Sequence, residues 1–485
     1  MNPLKKLFKQ TFVYGLATVL PRMLSFLLVR LYTDVMPPGL YGEVSVIFAY
    51  FAIFNVFLAY GMETAFFRFY HKTKNKQSVV STSLISIGIS TTLFFILALL
   101  FKENLAEVSD IAPKYVNYVI YILALDALVI IPFAWLRATE KPMRYAIIKI
   151  VNVCINLGFN LFFLILLPSI IDNNPNSVFA WMYKPDFQVS YIFISNLIAS
   201  AITLLLMLEL YLKNQYTFDG HLWKKMMKYA APVLIAGIAF TINEVFDRVL
   251  LEKLLSPDIA KDEIGKYSAC YKLALFMTLF ATAFRMGIEP FFFSHAKEEN
   301  PQKTYAQITN YFVILGSVIL LAVIVYADIL KLIFVNNKDY WDAMKIVPII
   351  LLASFFLGIY HNLSVWYKIT DKTRYGAFIS VIGAILTVII NYIFIGYFSY
   401  MASAIATLIA YGTMMVLSYT IGKKQYPVPY NMRKIGFYLI TSIVFSVIAF
   451  YIFDRNLLWG NLLLFVFLGI VYKMENDTLR KVFKK

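Results

Sequence analysis

The sequence predicts an all-α polytopic membrane protein of about 14 transmembrane helices, with two pseudo-twofold-related six-helix lobes and two extra C-terminal helices. The first observation is composition: 60% of the 485 residues are hydrophobic and 15% are charged, whereas a soluble domain carries about 25% charged residues. The second is that apolar runs of roughly twenty or more residues recur along the chain, each long enough to cross about 30 Å of hydrocarbon. The third is an internal repeat of charged residues within these runs.

The repeat relates the region before residue 72 to a region that ends near residue 297. In both copies an acid lies late in an apolar run and is followed by aromatic residues, a histidine and a lysine. Glu63 follows Gly42 by 21 residues, and Glu289 follows Gly265 by 24. Charges that recur inside apolar segments are typical of membrane transporters built from two structural repeats.

The apolar runs define fourteen predicted spans. The repeat groups them into an N-lobe (1–212, spans 1–6), a C-lobe (213–423, spans 7–12) and an extra helix pair with a cytoplasmic tail (424–485). The spans are about 10–33, 41–68, 78–101, 115–137, 144–168, 188–212, 224–251, 264–294, 304–327, 341–367, 375–398, 400–422, 434–453 and 457–473.

The loops between spans predict the orientation of the chain. The loops on one side carry 29 lysines and arginines and those on the other side carry eight. Because basic loops stay in the cytoplasm, we expect both termini to be cytoplasmic. The net charge of +16 is explained by these short loops, so a nucleic-acid partner is not expected, and no polar stretch is long enough for a large soluble domain.

The sequence contains no motif for a metal, a nucleotide or catalysis. Its two cysteines, Cys154 and Cys270, are far apart in apolar runs and are expected to be buried filler. There is no GxxxxGK[ST] phosphate loop, no HExxH and no CxxC. We therefore predict no cofactor, no metal site and no catalytic residue, and a proton or Na⁺ is the only coupling species that we consider.

Ionisable residues within spans point to function, because each costs about 2.5–3.5 kcal/mol to insert. Arg22 and Arg30 have no acid within their own predicted span. We therefore expect them to face an acid of another helix, with Glu63 as the candidate, or a water-filled cavity that attracts anions. The others within spans include Asp126, Asp247, Lys266 and Lys272.

Two charge pairs have the spacing of helical neighbours. Glu244 and Arg248, like Arg285 and Glu289, are four residues apart and share a helix face. They either neutralise each other structurally or serve a site, and the sequence leaves both interpretations open. Pro290 beside Glu289 is expected to kink span 8.

An asparagine stripe and one histidine complete the polar set. Asn152, Asn156 and Asn160 recur every four residues on span 5. Amides in a membrane join helices, which is the interpretation we favour, and they can also bind sugar hydroxyls. His361, inside span 10, is the histidine best placed for a proton relay, the alternative being an ordinary hydrogen-bonded side chain.

Three segments carry a resemblance to a known family. The run Tyr14-Gly-Leu-Ala-Thr-Val-Leu-Pro-Arg22-Met-Leu-Ser-Phe, the following Pro-Pro-Gly-Leu-Tyr41-Gly42-Glu-Val-Ser and Gly61-Met-Glu63-Thr-Ala-Phe-Phe resemble the first two helices of polysaccharide-transport flippases. These belong to the O-antigen and capsule branch of the multidrug/oligosaccharidyl-lipid/polysaccharide exporter (MOP) superfamily. The arrangement of six, six and two spans is also similar to that superfamily.

The resemblance implies a flippase of the bacterial inner membrane. It would move undecaprenyl-diphosphate-linked oligosaccharide to the outer leaflet by alternating access, for surface polysaccharide such as lipopolysaccharide O-antigen. Arg22 matches an arginine that binds diphosphate in related flippases, and spans 13 and 14 correspond to a groove for the lipid tail. Membrane lipids and a polysaccharide polymerase or glycosyltransferases are the implied partners.

Together these arguments define the candidate residues and the rival functions. An ion-coupled multidrug exporter of the same architecture is the alternative, and a membrane polymerase is disfavoured because no outer loop contains a histidine or reaches domain size. The candidate substrate-binding residues are Arg22, Arg30, Arg248, Arg285, Lys272, Asn152 and Asn156, and the candidates for ion or proton coupling are Glu63, Asp126 and Glu289.

Overall fold

The structure, a computed structural model, describes residues 23–24, 26–295, 300–370 and 372–483. Within these ranges it describes all side chains except those at 287, 289–291, 293–295 and 477–483. The described residues form helices joined by turns, with no β-strand among them. Two π-helical turns, Phe162–Leu166 and Ile448–Ile452, and two 3₁₀ segments, Ala180–Met182 and Lys338–Ile346, lie beside the α-helices.

The α-helices are numbered in chain order. They are α1 (26–35), α2 (Pro38–Ala59), α3 (Met62–Lys72), α4 (Lys76–Leu100), α5 (Lys102–Ser109), α6 (Pro113–Leu128), α7 (Ile130–Ala138), α8 (Pro142–Leu161), α9 (Leu167–Asn173), α10 (Gln188–Leu212), α11 (Gly220–Leu254), α12 (Pro257–Leu273), α13 (Leu275–His295), α14 (Pro301–Val325), α15 (Ala327–Phe334), α16 (Val347–Leu363), α17 (Val365–Ile369), α18 (Arg374–Phe398), α19 (Tyr400–Gln425), α20 (Met432–Val447) and α21 (Leu457–Phe483).

The number of membrane-crossing helices agrees with the prediction. Among the described residues, 12 helices are long and apolar enough to cross a bilayer, and a bent pair formed by α12 and α13 raises the number to 13. Each corresponds to one of the predicted spans 2–14. Most of span 1 lies outside the described residues, which include only its end in α1. The protein is thus a multi-pass membrane protein, and the predicted all-α fold class is confirmed.

Among the described residues, spans 2, 4, 8 and 10 each contain a local interruption of the α-helix, at corresponding places in the two predicted lobes, and span 8 is bent there by more than 40°. Span 2 is divided at Tyr60 and Gly61, span 4 at Val129, span 8 at Ala274 and span 10 at Ser364. Spans 2 and 8 are second in their lobes, and spans 4 and 10 are fourth. Discontinuous helices are common in transporters near the binding site, because a break frees backbone groups and lets a helix change direction.

The break in span 2 has a local cause. Tyr60 and Gly61 adopt left-handed backbone conformations, with φ of 32° and 73°. A Cβ atom at Gly61 would lie 2.5 Å from the backbone oxygen of Ala230 in α11, so the close approach of the two chains also requires glycine. Helix α3 then begins with Glu63 in its first turn, where a carboxylate interacts favourably with the helix dipole.

The bend in span 8 is not where proline predicts it. Helices α12 and α13 meet at an angle of 46°, at Ala274. The helical backbone of α13 continues through Pro290, and that of α11 continues through Pro232. In a membrane, neighbouring helices can satisfy the backbone group that a proline leaves free.

Contacts divide the chain into two compact units, residues 1–265 and 266–485. A fully buried core of the first unit includes Met62, Phe66, Ile87 and Met226, contributed by α3, α4 and α11. Helix α11 packs along α2 and α3, which places it in the first unit although the repeat assigns it to the C-lobe. The units are defined by packing and the lobes by sequence repetition, so the lobe boundaries stay a prediction.

One expectation about the cysteines is wrong. Cys270 is buried, but Cys154 in α8 is exposed. Large apolar side chains such as Ile89, Leu100 and Phe465 are also more than 60% exposed. In a bilayer, apolar side chains face lipid without cost, so a position inside an apolar run does not imply burial within the protein.

Candidate functional site

An ion pair joins span 2 to span 4. Arg137 Nη2 in α7 donates a hydrogen bond to Glu63 Oε1 in α3. The Nε atom of Arg137 is buried and has no hydrogen-bond partner among the described residues. Both side chains are partly exposed, so the pair borders an accessible space.

The second carboxylate of this region lies deeper in span 4. Ser200 Oγ in α10 donates to Asp126 Oδ1 at 2.7 Å. Lys149 in α8 interacts electrostatically with both Asp126 and Glu63. Two of the coupling candidates, Glu63 and Asp126, therefore belong to one network with two cations, Arg137 and Lys149.

A small cationic pocket lies in the second unit. Arg285 Nη1 in α13 lies 3.5 Å from His361 Nε2 in α16. The pocket around them is also lined by Lys368 and Asn362 and by the apolar side chains Ile288, Phe292 and Val365. Its described lining thus combines two permanent cations, an imidazole and an amide, and includes no carboxylate. These donors are of the kind that binds phosphate. The cavity volume is about 10 Å³, room for roughly one water molecule, so the side chains must move apart before a phosphate group can enter.

The two polar contacts are counterparts in the repeat. Glu63 and Arg137 connect spans 2 and 4 across 74 residues of sequence, and Arg285 and His361 connect spans 8 and 10 across 76. Both contacts involve spans that are broken. Each half of the chain therefore places a polar contact between its second and fourth spans, an acid–base pair in one half and an arginine–histidine contact in the other.

The expected partners of the first-span arginines need correction. Arg30 Nε contacts Asp34 Oδ2 at 2.5 Å within α1, because this helix continues to residue 35, beyond the predicted end of span 1. Glu63, the expected partner, binds Arg137 instead. Arg22 lies outside the described residues, so its place in the site stays a prediction.

Arg248 is held by its own helix. Its Nη1 donates to Asp247 Oδ1 at 2.8 Å and to the backbone oxygen of Glu244 at 2.9 Å. The spacing of four residues thus brings the Arg248 guanidinium to the backbone oxygen of Glu244. Arg248 also forms an ion pair with Asp247. Arg248 and Asp247 are both more than 90% buried, which is consistent with a structural role for this pair.

The asparagine stripe on α8 makes contacts between helices. Asn152 Nδ2 donates to Thr203 Oγ1 in α10 at 2.9 Å. Asn160 Nδ2 donates to Asn156 Oδ1 at 2.6 Å, and Tyr32 OH donates to Asn160 Oδ1 at 3.0 Å. The bonds of Asn152 to Thr203 and of Tyr32 to Asn160 join different helices, as expected for amides that associate helices. Contact of Asn152 or Asn156 with substrate stays a prediction.

Two further candidate site residues, Lys272 and Glu289, are placed by their helices. Lys272 is partly buried near the end of α12, just before the bend at Ala274. Glu289 lies in α13, but its side chain is outside the described set. Sequence reasoning missed Lys149 and Lys368 as site residues because both were counted among the cytoplasmic loop cations.

The fold is similar to solved transporter structures. It matches a lipid II flippase, MurJ, in an inward closed conformation at 16% identity and a TM-score of 0.74, covering 97% of this chain and 100% of that chain. It matches an inward-facing multidrug resistance MATE family transporter of the MOP superfamily at 12% identity and 0.65, covering 85% and 94%. It also matches a Pyrococcus furiosus MOP superfamily transporter, reported with a binding pocket of reverse polarity, at 12% and 0.61, covering 86% and 95%.

These identities establish the fold alone. A search of curated proteins finds no match. Family models are more informative: the MatE model matches residues 232–393, and the model described as polysaccharide biosynthesis protein matches residues 7–293. Because the second match spans more than half of the sequence, this chain belongs to the polysaccharide biosynthesis protein family, within the MOP exporter superfamily.

Proposed function

We propose that this protein is a flippase that moves undecaprenyl-diphosphate-linked oligosaccharide from the cytoplasmic to the outer leaflet of the bacterial inner membrane. Membership in the polysaccharide biosynthesis family supports a glycan substrate. The likeness to a lipid II flippase over nearly the whole chain supports a fold suited to lipid-linked cargo. Surface polysaccharide, including lipopolysaccharide O-antigen, is the pathway in which such a substrate is used.

The observation that carries the proposal is the pocket between α13 and α16. A diphosphate is an anion that stays in the membrane with its lipid, so it needs fixed cations at membrane depth. Arg285 and Lys368 supply two permanent charges, and His361 and Asn362 add hydrogen-bonding groups. Guanidinium groups bind phosphate oxygens with two parallel hydrogen bonds, which makes Arg285 the principal candidate.

The polar network of the first unit differs in chemistry from the pocket of Arg285. Glu63, Arg137, Asp126 and Lys149 together combine acids and cations, a mixture that can bind sugar hydroxyls or respond to a coupling ion. We assign any coupling ion, a proton or Na⁺, to this network.

An ion-coupled multidrug exporter is the second candidate, because the MatE model matches part of the chain. A carrier of organic cations uses acids in its cavity, as attraction requires opposite charge. The pocket of Arg285 would repel such a substrate. The two functions therefore differ in their response to the same substitution, since loss of Arg285 should impair glycan transport and leave or improve the export of cations.

Reconstitution tests the proposal. Proteoliposomes would contain labelled undecaprenyl-diphosphate oligosaccharide, and its arrival in the opposite leaflet would be followed with an impermeant enzyme. We expect Arg285→Ala to lower the initial rate by about tenfold or more, the equivalent of one lost charge-assisted contact of about 1.4 kcal/mol or more. Arg374→Ala is the matched control, because Arg374 is exposed at the start of α18.

Three results separate the candidates. Transport by the wild type and the control, with loss in Arg285→Ala, supports the flippase. If a cationic dye is still exported by Arg285→Ala and no lipid-linked glycan moves in any of the proteins, the multidrug exporter becomes the better assignment. Equal glycan transport by all three proteins would remove Arg285 from the proposed diphosphate site.

A further inference from the structure

The ends of α2 and α12 that are predicted to face outward meet through backbone. A Cβ atom at Gly42 would lie 1.8 Å from the carbonyl oxygen of Lys261, and one at Gly265 would lie 1.9 Å from that of Pro38. Neither position can carry a side chain without separation of the helices, so both require glycine. These are the two glycines that the repeat places in corresponding positions, and the contact therefore joins the two copies of one motif.

An ion pair lies next to this contact. Lys261 Nζ is 3.4 Å from Glu43 Oε1, and Glu43 directly follows the glycine of α2. The Glu43 side chain is 15% exposed, so water screens the pair only in part and its attraction is stronger than that of a surface pair. Backbone contact and ion pair together hold the two helix ends against each other.

A third charged side chain reaches the same place from α11. Glu252 interacts electrostatically with Lys261 and Glu43, and also with Lys253 of its own helix and with Asp110 after α5. Tyr50 of α2 is a further titratable neighbour of Glu252. The two cations and two other carboxylates near Glu252 balance each other in number, so Glu252 has no cation to itself.

Glu252 is unusual because part of its carboxylate is unsatisfied. The residue is 8% exposed, and its Oε2 atom is buried with no hydrogen-bond partner among the described residues. Leaving a charged oxygen buried and unpaired is costly. A ligand that neutralises this oxygen removes that cost, and the choice lies between a metal cation and a proton.

The surroundings favour the proton. Among the described residues, no three His, Cys, Asp or Glu side chains are placed to hold a metal ion together, so Glu43, Asp110 and Glu252 do not form a cation cage. We propose that Glu252 is a proton-binding site that latches the outward ends of α2 and α12 together. It carries a proton while these ends are in contact and loses it when they part and water reaches the carboxylate.

The direction of the effect follows from linkage. The closed contact binds the proton more tightly than the open one, so acid favours closure and rising pH favours opening. Once ionised, Glu252 competes with Glu43 for Lys261, and the repulsion between the two carboxylates loosens the ion pair across the contact. The inference rests on the proposed function only in taking this contact as an outer gate of transport.

Hydrogen–deuterium exchange in lipid nanodiscs tests the latch without any substrate. Peptides that cover 38–45 and 257–265 would be followed between pH 5 and 9, after correction for the intrinsic exchange rate. In the wild type we expect protection to fall with rising pH, by up to about tenfold per pH unit. Glu252→Gln, which imitates the protonated acid, should stay protected at every pH. Glu107→Gln, at an exposed position of α5, should behave as the wild type does.

Each outcome decides the matter. A Glu252→Gln protein with the pH dependence of the wild type overturns the proposal, as does protection that responds to Na⁺ at constant pH and not to protons. If Glu252→Gln does not fold, Glu252→Asp is measured instead. This variant keeps an ionisable carboxyl, so its protection against exchange must still depend on pH. Protection that does not depend on pH in Glu252→Asp would count against the latch. Since exchange needs no glycan, a failed transport assay would reject the flippase and leave this result standing.

Discussion

Glu63 and Arg137 form an ion pair across 74 residues of sequence, and it lies just beyond the breaks that divide spans 2 and 4. Its counterpart in the second unit, Arg285 with His361, lies between spans 8 and 10. Discontinuous helices at corresponding positions of two structural repeats are common in secondary transporters. The two contacts differ in charge, since one contains a carboxylate and the other does not.

The first prediction concerns the coupling of Glu63 and Arg137. Glu63→Gln and Arg137→Gln should each lower thermal stability, since each leaves the other charge without its partner. In the double variant the loss should be smaller than the sum, by about 0.5–3 kcal/mol, as for residues in direct contact. Thermal unfolding in detergent measures the four proteins of the cycle. Strict additivity would mean that the pair contributes nothing to the folded state.

The second prediction concerns ion coupling at Asp126. Asp126→Asn keeps the shape of the side chain and its acceptor for Ser200, but removes the charge that faces Lys149. If Asp126 carries the coupling ion, an imposed proton or Na⁺ gradient should no longer accelerate glycan transport in this variant. The rate without a gradient should change less than the response to the gradient, because the variant keeps the shape of the side chain and the acceptor for Ser200.

Ser200→Ala is the control for that experiment. It removes the hydrogen bond to Asp126 and keeps the carboxylate, so acceleration by the gradient should persist. A gradient effect of unchanged size in Asp126→Asn would exclude this carboxylate as the coupling site and direct attention to Glu63 and Glu289.

The third prediction concerns the break in span 2. Gly61→Ala should destabilise the protein, because alanine is strained at φ 73° by about 1–2 kcal/mol. Its Cβ would also lie 2.5 Å from the backbone of Ala230, and such overpacking costs about 1–3 kcal/mol more. Gly88→Ala is the matched control, since a Cβ there meets no atom within 4 Å. Equal melting temperatures of the two variants would contradict the contact with α11.

The membrane-crossing helices could be predicted from the sequence because hydrophobic length is a local property. The orientation that the loop charges indicate stays a prediction. The breaks are harder: Gly61 is a visible signal, but Val129, Ala274 and Ser364 are neither glycine nor proline. The backbone conformation at these three residues depends on packing against other helices, and the sequence of one segment carries no information about that packing.

The site could be predicted only in part, for a related reason. Arg285 and Glu63 were identified because a charge inside an apolar run is conspicuous. Their partners were not, because His361 lies 76 residues away and Arg137 was counted with the cytoplasmic loops. Asp34 was missed since the predicted span ended one residue before it. Long-range pairing and exact helix ends are properties of the folded chain.

The last prediction concerns the two additional C-terminal helices. Glu475 in α21 is 5% exposed, and it accepts hydrogen bonds from Lys434 Nζ at 2.9 Å and Tyr438 OH at 2.8 Å, both in α20. Replacing it by alanine leaves the buried Tyr438 hydroxyl and the Lys434 ammonium, which is 27% exposed, without their acceptor. An unsatisfied buried donor costs about 1–3 kcal/mol, so Glu475→Ala should lower the melting temperature.

The partner substitutions show whether the contact is ionic. Glu475→Gln can still accept from Tyr438, so its effect should be smaller than that of Glu475→Ala. Lys434→Met should destabilise strongly, because it leaves the carboxylate buried beside Tyr438 alone. Glu107→Ala, at an exposed position of α5, should change the melting temperature by little, as surface substitutions do. If Glu475→Ala has the same melting temperature as this control, the charge of Glu475 does not hold α20 to α21. The two helices must then be held together by apolar contacts, which include Tyr438 against Phe467.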